Sequence, residues 1–291
     1  MSDSLVGAPP FAVVLGYDDP TPAVARAESL LGGGWSSEDL AIVFNPGPLD
    51  RGEVVAPVEV RRLPRNEGYA GGMNVALSMA RERGRPFAAL LTHDCVLSPG
   101  DLRLLAGHLA AHPSVGVVGP TLRWSDRPGI FSSGGYLGRR GPYHRQDALA
   151  PGTVRSVEWV DGAILVVRVA AVQEIGGFDE RLFMYVEDVD LGLRLHQRGW
   201  DVVVLADAMA RKESSIPRRP EAYSYLRARN TTAVLTRLHR YGRLATFVGS
   251  LLVDTAPHLR RSPELRGVRD ALAGRFGPPP DDLSIGAGAE G

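Results

Sequence analysis

Through the first 120 residues, short, continuously apolar runs alternate with segments of helical spacing, and each run ends in a polar loop. Phe11–Leu15 is apolar throughout and leads into Gly16-Tyr17-Asp18-Asp19-Pro20. Such a run fits a strand buried on both faces, as in a parallel sheet. Pro22–Leu31 has helical spacing and stops at Gly32-Gly33-Gly34. Leu40–Phe44 reads as a second buried strand ending in Asn45-Pro46-Gly47, and Val54–Leu63 as a third. Asn66–Gly72 reads as a loop and Met73–Arg83 as a helix closed by Gly84. Phe87–Leu91 is a fourth strand, running into Thr92-His93-Asp94. A helix over Asp101–Ala111, capped by Ser98 or Asp101, and a strand over Val115–Val118 follow. This alternation predicts an α/β fold with an open, doubly wound sheet. Ligands of such sheets collect beyond the carboxyl ends of the strands, where Tyr17, Asp18, Asp19, Asn45, Asn66 and Asp94 fall.

The pattern then changes. Thr121–Pro151 is rich in Gly, Arg and Ser, carries Tyr136, Tyr143 and His144, and reads as a loop or short hairpin over the site. Ser156–Val169 is strongly β-forming, and Ala170–Ile175 is a short helix before Gly176-Gly177. Glu187–Arg198 is a helix ended by Gly199, and Asp201–Leu205 a last strand. Glu221–Leu272 is helical with many arginines, whereas 276–291, with three consecutive prolines, is expected to be disordered. The expected division is an α/β domain over 1–225, with halves 1–120 and 121–225, a helical extension over 226–275, and the tail.

Composition removes several classes. Lys+Arg and Asp+Glu each total 33 in 291 residues, which argues against a nucleic-acid-coating surface. The single cysteine, Cys95, excludes an internal disulfide and CxxC-type zinc sites, and fits inert packing. The N-terminus lacks the pattern of a signal peptide, and no window reaches the roughly 18–20 apolar residues of a membrane span. A soluble, cytoplasmic protein is the expectation. A glycine-rich dinucleotide turn is absent, because Gly16 is followed by two carboxylates, and there is no Walker loop.

Five segments carry the chemistry, in this order: Leu63-Pro-Arg-Asn-Glu-Gly-Tyr-Ala-Gly-Gly-Met-Asn-Val-Ala-Leu77, Leu90-Leu-Thr-His-Asp-Cys-Val-Leu97, Val160-Asp-Gly-Ala-Ile-Leu-Val-Val-Arg168, Ile175–Arg194 with Gly199 beyond it, and Arg229-Asn230. Within the fourth, Glu187, Asp188 and Asp190 open a helix. Acidic residues there gain about 0.3–1 kcal/mol each from the helix dipole. A cluster preceded by the apolar Phe183-Met184-Tyr185 also suits a carboxyl tuned toward a useful base.

Taken in order, the set resembles the family 2 glycosyltransferases, particularly their rhamnosyltransferase-like branch, over Phe11–Asn230. The resemblance implies a GT-A fold and an inverting transfer of a sugar from a dTDP- or UDP-sugar to an acceptor hydroxyl. It implies Asp188 as the base, with Glu187 as the alternative. It places Tyr17, Asn45, Arg65, Asn66, Gly71, Asn74 and Asp94 around the nucleotide sugar, and Trp159 and Asp161 on the acceptor side. Asp94 stands where relatives carry the last carboxylate of an Asp-x-Asp metal motif, but Thr92 replaces the first. Arg211-Lys212 stands where relatives often carry a metal-binding His. A guanidinium cannot ligate a metal, although it can pair with a diphosphate. The expectation is either a weakly held Mg²⁺ or Mn²⁺ arriving with the donor at Asp94, or Arg211 and Lys212 in its place, with no organic cofactor beyond the donor. Arg194 is expected to tie its helix to the sheet.

The acceptor class stays open among glycan, lipid-linked and small-molecule hydroxyls. The Arg227–Arg269 stretch fits packing on the α/β domain or a second subunit better than peripheral membrane docking. Two rivals are an inactive relative that binds a nucleotide sugar or partner, and a sugar nucleotidyltransferase. The second lacks its paired metal carboxylates and basic N-terminal loop.

Overall fold

The computed structural model describes residues 9–48, 50, 52–212, 220–255 and 262–283. In chain order the elements are β1 (Phe11–Tyr17), α1 (Thr21–Gly32), β2 (Leu40–Asn45), β3 (Glu59–Arg62), α2 (Gly68–Glu82), β4 (Phe87–Thr92), β5 (Cys95–Leu97), α3 (Pro99–Ala111) and β6 (Val115–Trp124). Then come β7 (Ile130–Ser132), β8 (Gly135–Gly138), β9 (Gly141–His144), β10 (Val154–Ser156), β11 (Ile164–Arg168), α4 (Val169–Glu174), α5 (Glu187–Gln197) and β12 (Asp201–Lys212). Three helices follow: α6 (Pro220–Arg237), α7 (Tyr241–Asp254) and α8 (Pro263–Leu272).

One sheet runs in the order β10-β12-β6-β11-β4-β1-β2-β3, with β5 and β7 beside β12 and β6. The pairs β1–β2, β1–β4, β2–β3 and β6–β12 are parallel, whereas β11 runs antiparallel to both β4 and β6. The sheet is therefore mostly parallel with one reversed central strand. The continuously apolar runs are buried on both faces as expected, Phe11–Gly16 and Leu40–Asn45 completely. One layer of core holds Val14, Leu30, Phe44, Leu102 and Leu105, and the opposite layer holds Val13, Met73, Leu90, Leu191 and Leu195. A third cluster joins α5 to the C-terminal helices through Trp159, Val186, Val189, Leu193, Val234 and Phe247.

Three boundaries differ from expectation. β3 is confined to Glu59–Arg62, because Val54–Pro57 is irregular, with Val55 79% exposed, and Pro57 has no N–H for the ladder. α2 begins at Gly68, so Gly71 and Gly72 lie in a helix rather than a loop. Its glycines serve close approach: a Cβ on Gly72 would sit 2.5 Å from Leu15, and one on Gly68 2.3 Å from the Phe183 carbonyl oxygen. β12 continues past a register shift between Leu205 and Met209 to Lys212, which pairs with Cys95. Residues 121–151 hold the β8–β9 hairpin.

The expected boundary between 225 and 226 falls inside α6. Of the tail expected to be disordered, 276–283 is in place: Gly277 N–H donates to the Arg181 carbonyl and its own carbonyl accepts from Arg229. Residues 284–291 lie outside the described residues.

Candidate active site

Because β11 is antiparallel to β4, the start of β11 and the end of β4 share one edge of the sheet: Ile164 stands opposite Leu91. The parallel end of β12 arrives at the same edge, with Lys212 opposite Cys95. Asp94, Asp161 and Lys212 are thereby gathered, and the N-terminus of α5 brings Glu187 and Asp188.

The peptide of Gly162 is the hub. Its N–H donates to Asp188 Oδ2 at 2.9 Å, and its carbonyl accepts the Tyr69 hydroxyl. A side chain here would crowd Tyr69, since a Cβ would lie 2.9 Å from its hydroxyl oxygen. Val189 N–H donates to Asp188 Oδ1 at 2.8 Å, so both carboxyl oxygens are oriented. Asp188 nevertheless keeps part of its surface open, whereas Glu187 is only 4% exposed and its Oε2 has no partner. Burial, reinforced by the Asp161 carboxylate, pushes Asp188 up to about 7. Burial beside Asp188 raises Glu187 well above the ordinary carboxylate range. Tyr69 also rises, through burial and the negative charge of Glu187 and Asp188.

Asp161 behaves oppositely. Burial works against its charge, but Lys212 and His144 outweigh it and hold the carboxyl below its ordinary value. Lys212 Nζ lies 3.5 Å from Asp161 Oδ1, and His144 Nε2 3.7 Å from Oδ2. Burial would lower Lys212, yet Asp161 raises it, and the ammonium stays charged. Burial lowers His144, against the opposing pull of the Asp161 carboxylate. The result is a fixed ion pair beside a tunable carboxyl.

Other expected contacts are placed differently. Asn45, 2% exposed, donates to the Gly68 carbonyl at 2.8 Å and accepts Glu67 N–H at 3.0 Å. Asn74 donates to the Phe178 carbonyl and Glu180, and accepts Phe178 N–H. Both asparagines hold backbone, and Asn74 also holds the Glu180 side chain. Asn66 Oδ1 accepts Gly68 N–H at the start of α2, and Gly71 is buried within that helix. Trp159 is a core residue, 3% exposed, edge-on to His144 and tight against Gly135 and Gly192, which removes it from direct acceptor stacking. Arg65 is exposed and pairs with Glu67, Arg211 is exposed on β12, and Tyr17 ends β1. Arg194 ties α5 down through Asp190 and the Ile175 and Gly177 carbonyls, and Cys95 is buried with its thiol raised by that burial.

The Thr92 hydroxyl donates to Asp94. Among the described residues no three His, Cys, Asp or Glu side chains converge as a metal site. With one carboxylate at the β4 end and an ammonium nearby, these residues do not make a resident metal centre. Sequence reasoning passed over Tyr69, Gly162 and the His144–Asp161 contact. Tyr69 and Gly162 lay inside quoted motifs, but only the tertiary fold shows that they meet.

The fold and this site define a GT-A-type transferase architecture. Residues 51–233 match the family described as "Glycosyltransferase like family 2", and the chain belongs to that family. It is 32% identical over 209 residues to an N-acetylglucosaminyl-diphospho-decaprenol L-rhamnosyltransferase of Mycobacterium tuberculosis, covering 62% of this chain and 68% of the relative. Among solved structures it resembles S. aureus TarS residues 1–349, with a TM-score of 0.59, 15% identity, and coverage of 90% of this chain and 79% of TarS. It also resembles GalNAc-T7 solved with UDP, GalNAc and Mn²⁺, with a TM-score of 0.62 and 11% identity over 80% of this chain. The chain spans about half of GalNAc-T7, 48%. A mannosyltransferase of Pyrobaculum calidifontis, solved with GDP-Man and Mn²⁺, matches with a TM-score of 0.54, 14% identity, and coverage of 92% of this chain and 81% of that one.

Proposed function

We propose that this protein is an inverting glycosyltransferase that moves L-rhamnose or a related deoxysugar from a dTDP- or UDP-linked donor to a hydroxyl of a lipid-linked acceptor, with Asp188 as general base. The observation that carries this reading is Asp188 itself: its two oxygens are oriented by Gly162 and Val189, part of it is open, and its carboxyl is poised near 7. Glu187, fully enclosed, is left without access to an acceptor. The sugar and the acceptor class are taken from the mycobacterial relative, whose name gives both.

In this reaction Asp188 takes the acceptor O–H proton while that oxygen bonds the anomeric carbon. The anomeric carbon–oxygen bond breaks on the opposite face and its electron pair leaves with the nucleoside diphosphate, which inverts the configuration. Lys212, held charged by Asp161, supplies the cation on the donor side together with exposed Arg211. Asp94, Tyr17, Arg65 and Asn66 are the donor contacts of this reading, and Asp161 with the β8–β9 hairpin bounds the acceptor. The α/β domain ahead of α6 is the catalytic unit and the C-terminal helices brace it. Among the described residues no helix is long and apolar enough to cross a membrane.

The test is release of nucleoside diphosphate from a panel of dTDP-, UDP- and GDP-sugars, with and without an N-acetylglucosaminyl diphosphoprenol, in Mn²⁺, Mg²⁺ or EDTA. One donor should turn over, Asp188→Asn should abolish it, and turnover should persist in EDTA. Full activity of Asp188→Asn removes the base assignment, and complete loss in EDTA removes the role given to Lys212.

A further inference from the structure

Asn230, wholly buried on α6, directs its side-chain amide at one short segment. Its Nδ2 lies 2.9 Å from the Leu182 carbonyl, 2.9 Å from that of Met184 and 2.8 Å from that of Tyr185. Arg229, 1% exposed, donates Nη2 to the same Leu182 carbonyl at 3.0 Å, Nε to Asn230 Oδ1 at 2.9 Å and Nη1 to the Gly277 carbonyl at 2.7 Å. The guanidinium thus orients the amide, which in turn gathers three carbonyls from four consecutive residues.

That segment has an unusual backbone. Phe183, Tyr185 and Val186 adopt φ of 65°, 67° and 70°, a region that side chains disfavour and β-branched residues most of all. Such a conformation persists only where its surroundings over-determine it. Here the surroundings are α6 on one side and α2 on the other, where Ala70 N–H donates to the Phe183 carbonyl at 3.2 Å and Gly68 leaves room for it. α5 starts directly afterwards, and Asp188 is its second residue. Without the amide, the Met184 and Tyr185 carbonyls lose the donor that Asn230 gives them while Leu182 keeps only Arg229's, the positive φ angles relax, and the first turn of α5 rotates away from Gly162.

We propose that Asn230, oriented by Arg229, is a positioning residue for sugar transfer: it locks residues 182–186 in their strained form so that Asp188 meets the Gly162 N–H and the acceptor. This rests on Asp188 being the base, and it gives the helical extension a part in the chemistry.

The test uses the full-length protein with Asn230→Asp, which keeps the volume but loses the donors, and with Asn230→Ala, each folded by circular dichroism. Transfer is measured with dTDP-L-rhamnose and a short-chain N-acetylglucosaminyl diphosphoprenol, beside Asp188→Asn. Both Asn230 variants should lose kcat by about 100-fold with donor KM changed less than about threefold, the scale of a catalytic group displaced by an ångström. The acid limb of their kcat profile should move to lower pH, because a loosened Asp188 regains water and loses its upward shift. Val186→Gly placed in the Asn230→Ala background should recover about tenfold, since glycine takes positive φ without strain. Amide hydrogen exchange over 182–190 should rise in Asn230→Asp whether or not this substrate pair turns over. Unchanged exchange there overturns the proposal, as does a kcat loss with neither a shifted acid limb nor rescue by glycine. Wild-type activity in Asp188→Asn removes the base assignment instead. An inactive Asp188→Asn beside a fully active Asn230→Asp removes this inference alone.

Discussion

The two halves of the sheet edge use polar residues in opposite ways. On the β1–β2–α2 side, Asn45 and Asn66 satisfy backbone groups of Glu67 and Gly68, and Asn74 does the same for Phe178. On the β4–β11–α5 side, Glu187 is buried with an unpartnered oxygen, Asp188 is pushed up to about 7, and Asp161 and Lys212 hold each other charged. The first side invests its polar atoms in holding a shape, while the second keeps electrostatic tension that folding alone would not select. Buried carboxyls with displaced titration are where chemistry is expected, whereas saturated asparagines are architecture.

Asp188→Asn gives the sharpest contrast. Activity should fall by at least about 10³-fold, within the range for removal of a general base. Stability should move the other way. The folded Asp188 carboxyl binds its proton more tightly than the unfolded one, so folding loses free energy as pH rises from about 4 to about 7. A neutral Asn removes that penalty, although its Nδ2 turns on one of the two backbone N–H donors, so the melting temperature of the variant should gain on that of the wild type as pH rises from about 4 to about 8. For the same reason kcat of the wild type should rise with pH through about 7. A variant that is both active and less stable would erase the contrast between the two sides.

Lys212→Met comes next. Loss of the cation should lower kcat by about 10²-fold, and the unpaired Asp161 should cost roughly 3 kcal/mol in a urea melt. The double variant Lys212→Met with Asp161→Asn separates these effects: stability should return while activity stays low. If activity returns with stability, Lys212 serves only to neutralise Asp161.

Why some of this was legible in the sequence follows from the same contrast. β1, β2 and β4 are visible because strands covered on both faces cannot tolerate polar positions, and α3 because Ser98 caps it. The first turn of α2 was hidden, because Gly68, Gly71 and Gly72 look like a loop until Phe183 and Leu15 are seen pressing on them. The last part of β12 was hidden by the irregularity after Leu205. The acidic cluster of Glu187 and Asp188 at the start of α5 is visible in the sequence through its ordered motif and apolar lead-in. Gly162 and Tyr69 are 93 residues apart in sequence, and only the reversed β11 brings them together. An asparagine reads alike in the sequence whether it holds a ligand or a neighbouring carbonyl, so the backbone contacts of Asn45 and Asn74 are visible only in the fold.

The asparagines supply the next test. Asn45→Ala leaves the buried Gly68 carbonyl and Glu67 N–H without their partner and should cost about 2–4 kcal/mol in a urea melt. Donor KM per folded molecule should change by less than about threefold, since only an indirect shift of α2 reaches the donor.

Arg65→Ala is the smallest expected effect and the one that probes the boundary between the sides. Its guanidinium is exposed, with side-chain accessibility of 80%, and pairs with the neighbouring Glu67, so stability should hardly change. If Arg65 turns to the donor diphosphate, donor KM should rise by about three- to tenfold at unchanged kcat, the signature of an interaction made equally in the ground and transition states. The rise should shrink as salt is raised, because an exposed charge is screened. An unchanged KM would place Arg65 with Asn45 and Asn74, leaving Tyr17 and Asn66 as the donor contacts on that side and Asp94 on the other. A fall in kcat instead would mean that the β1–β2–α2 side reaches the transition state, and the division between shape and chemistry would then run elsewhere in the sheet.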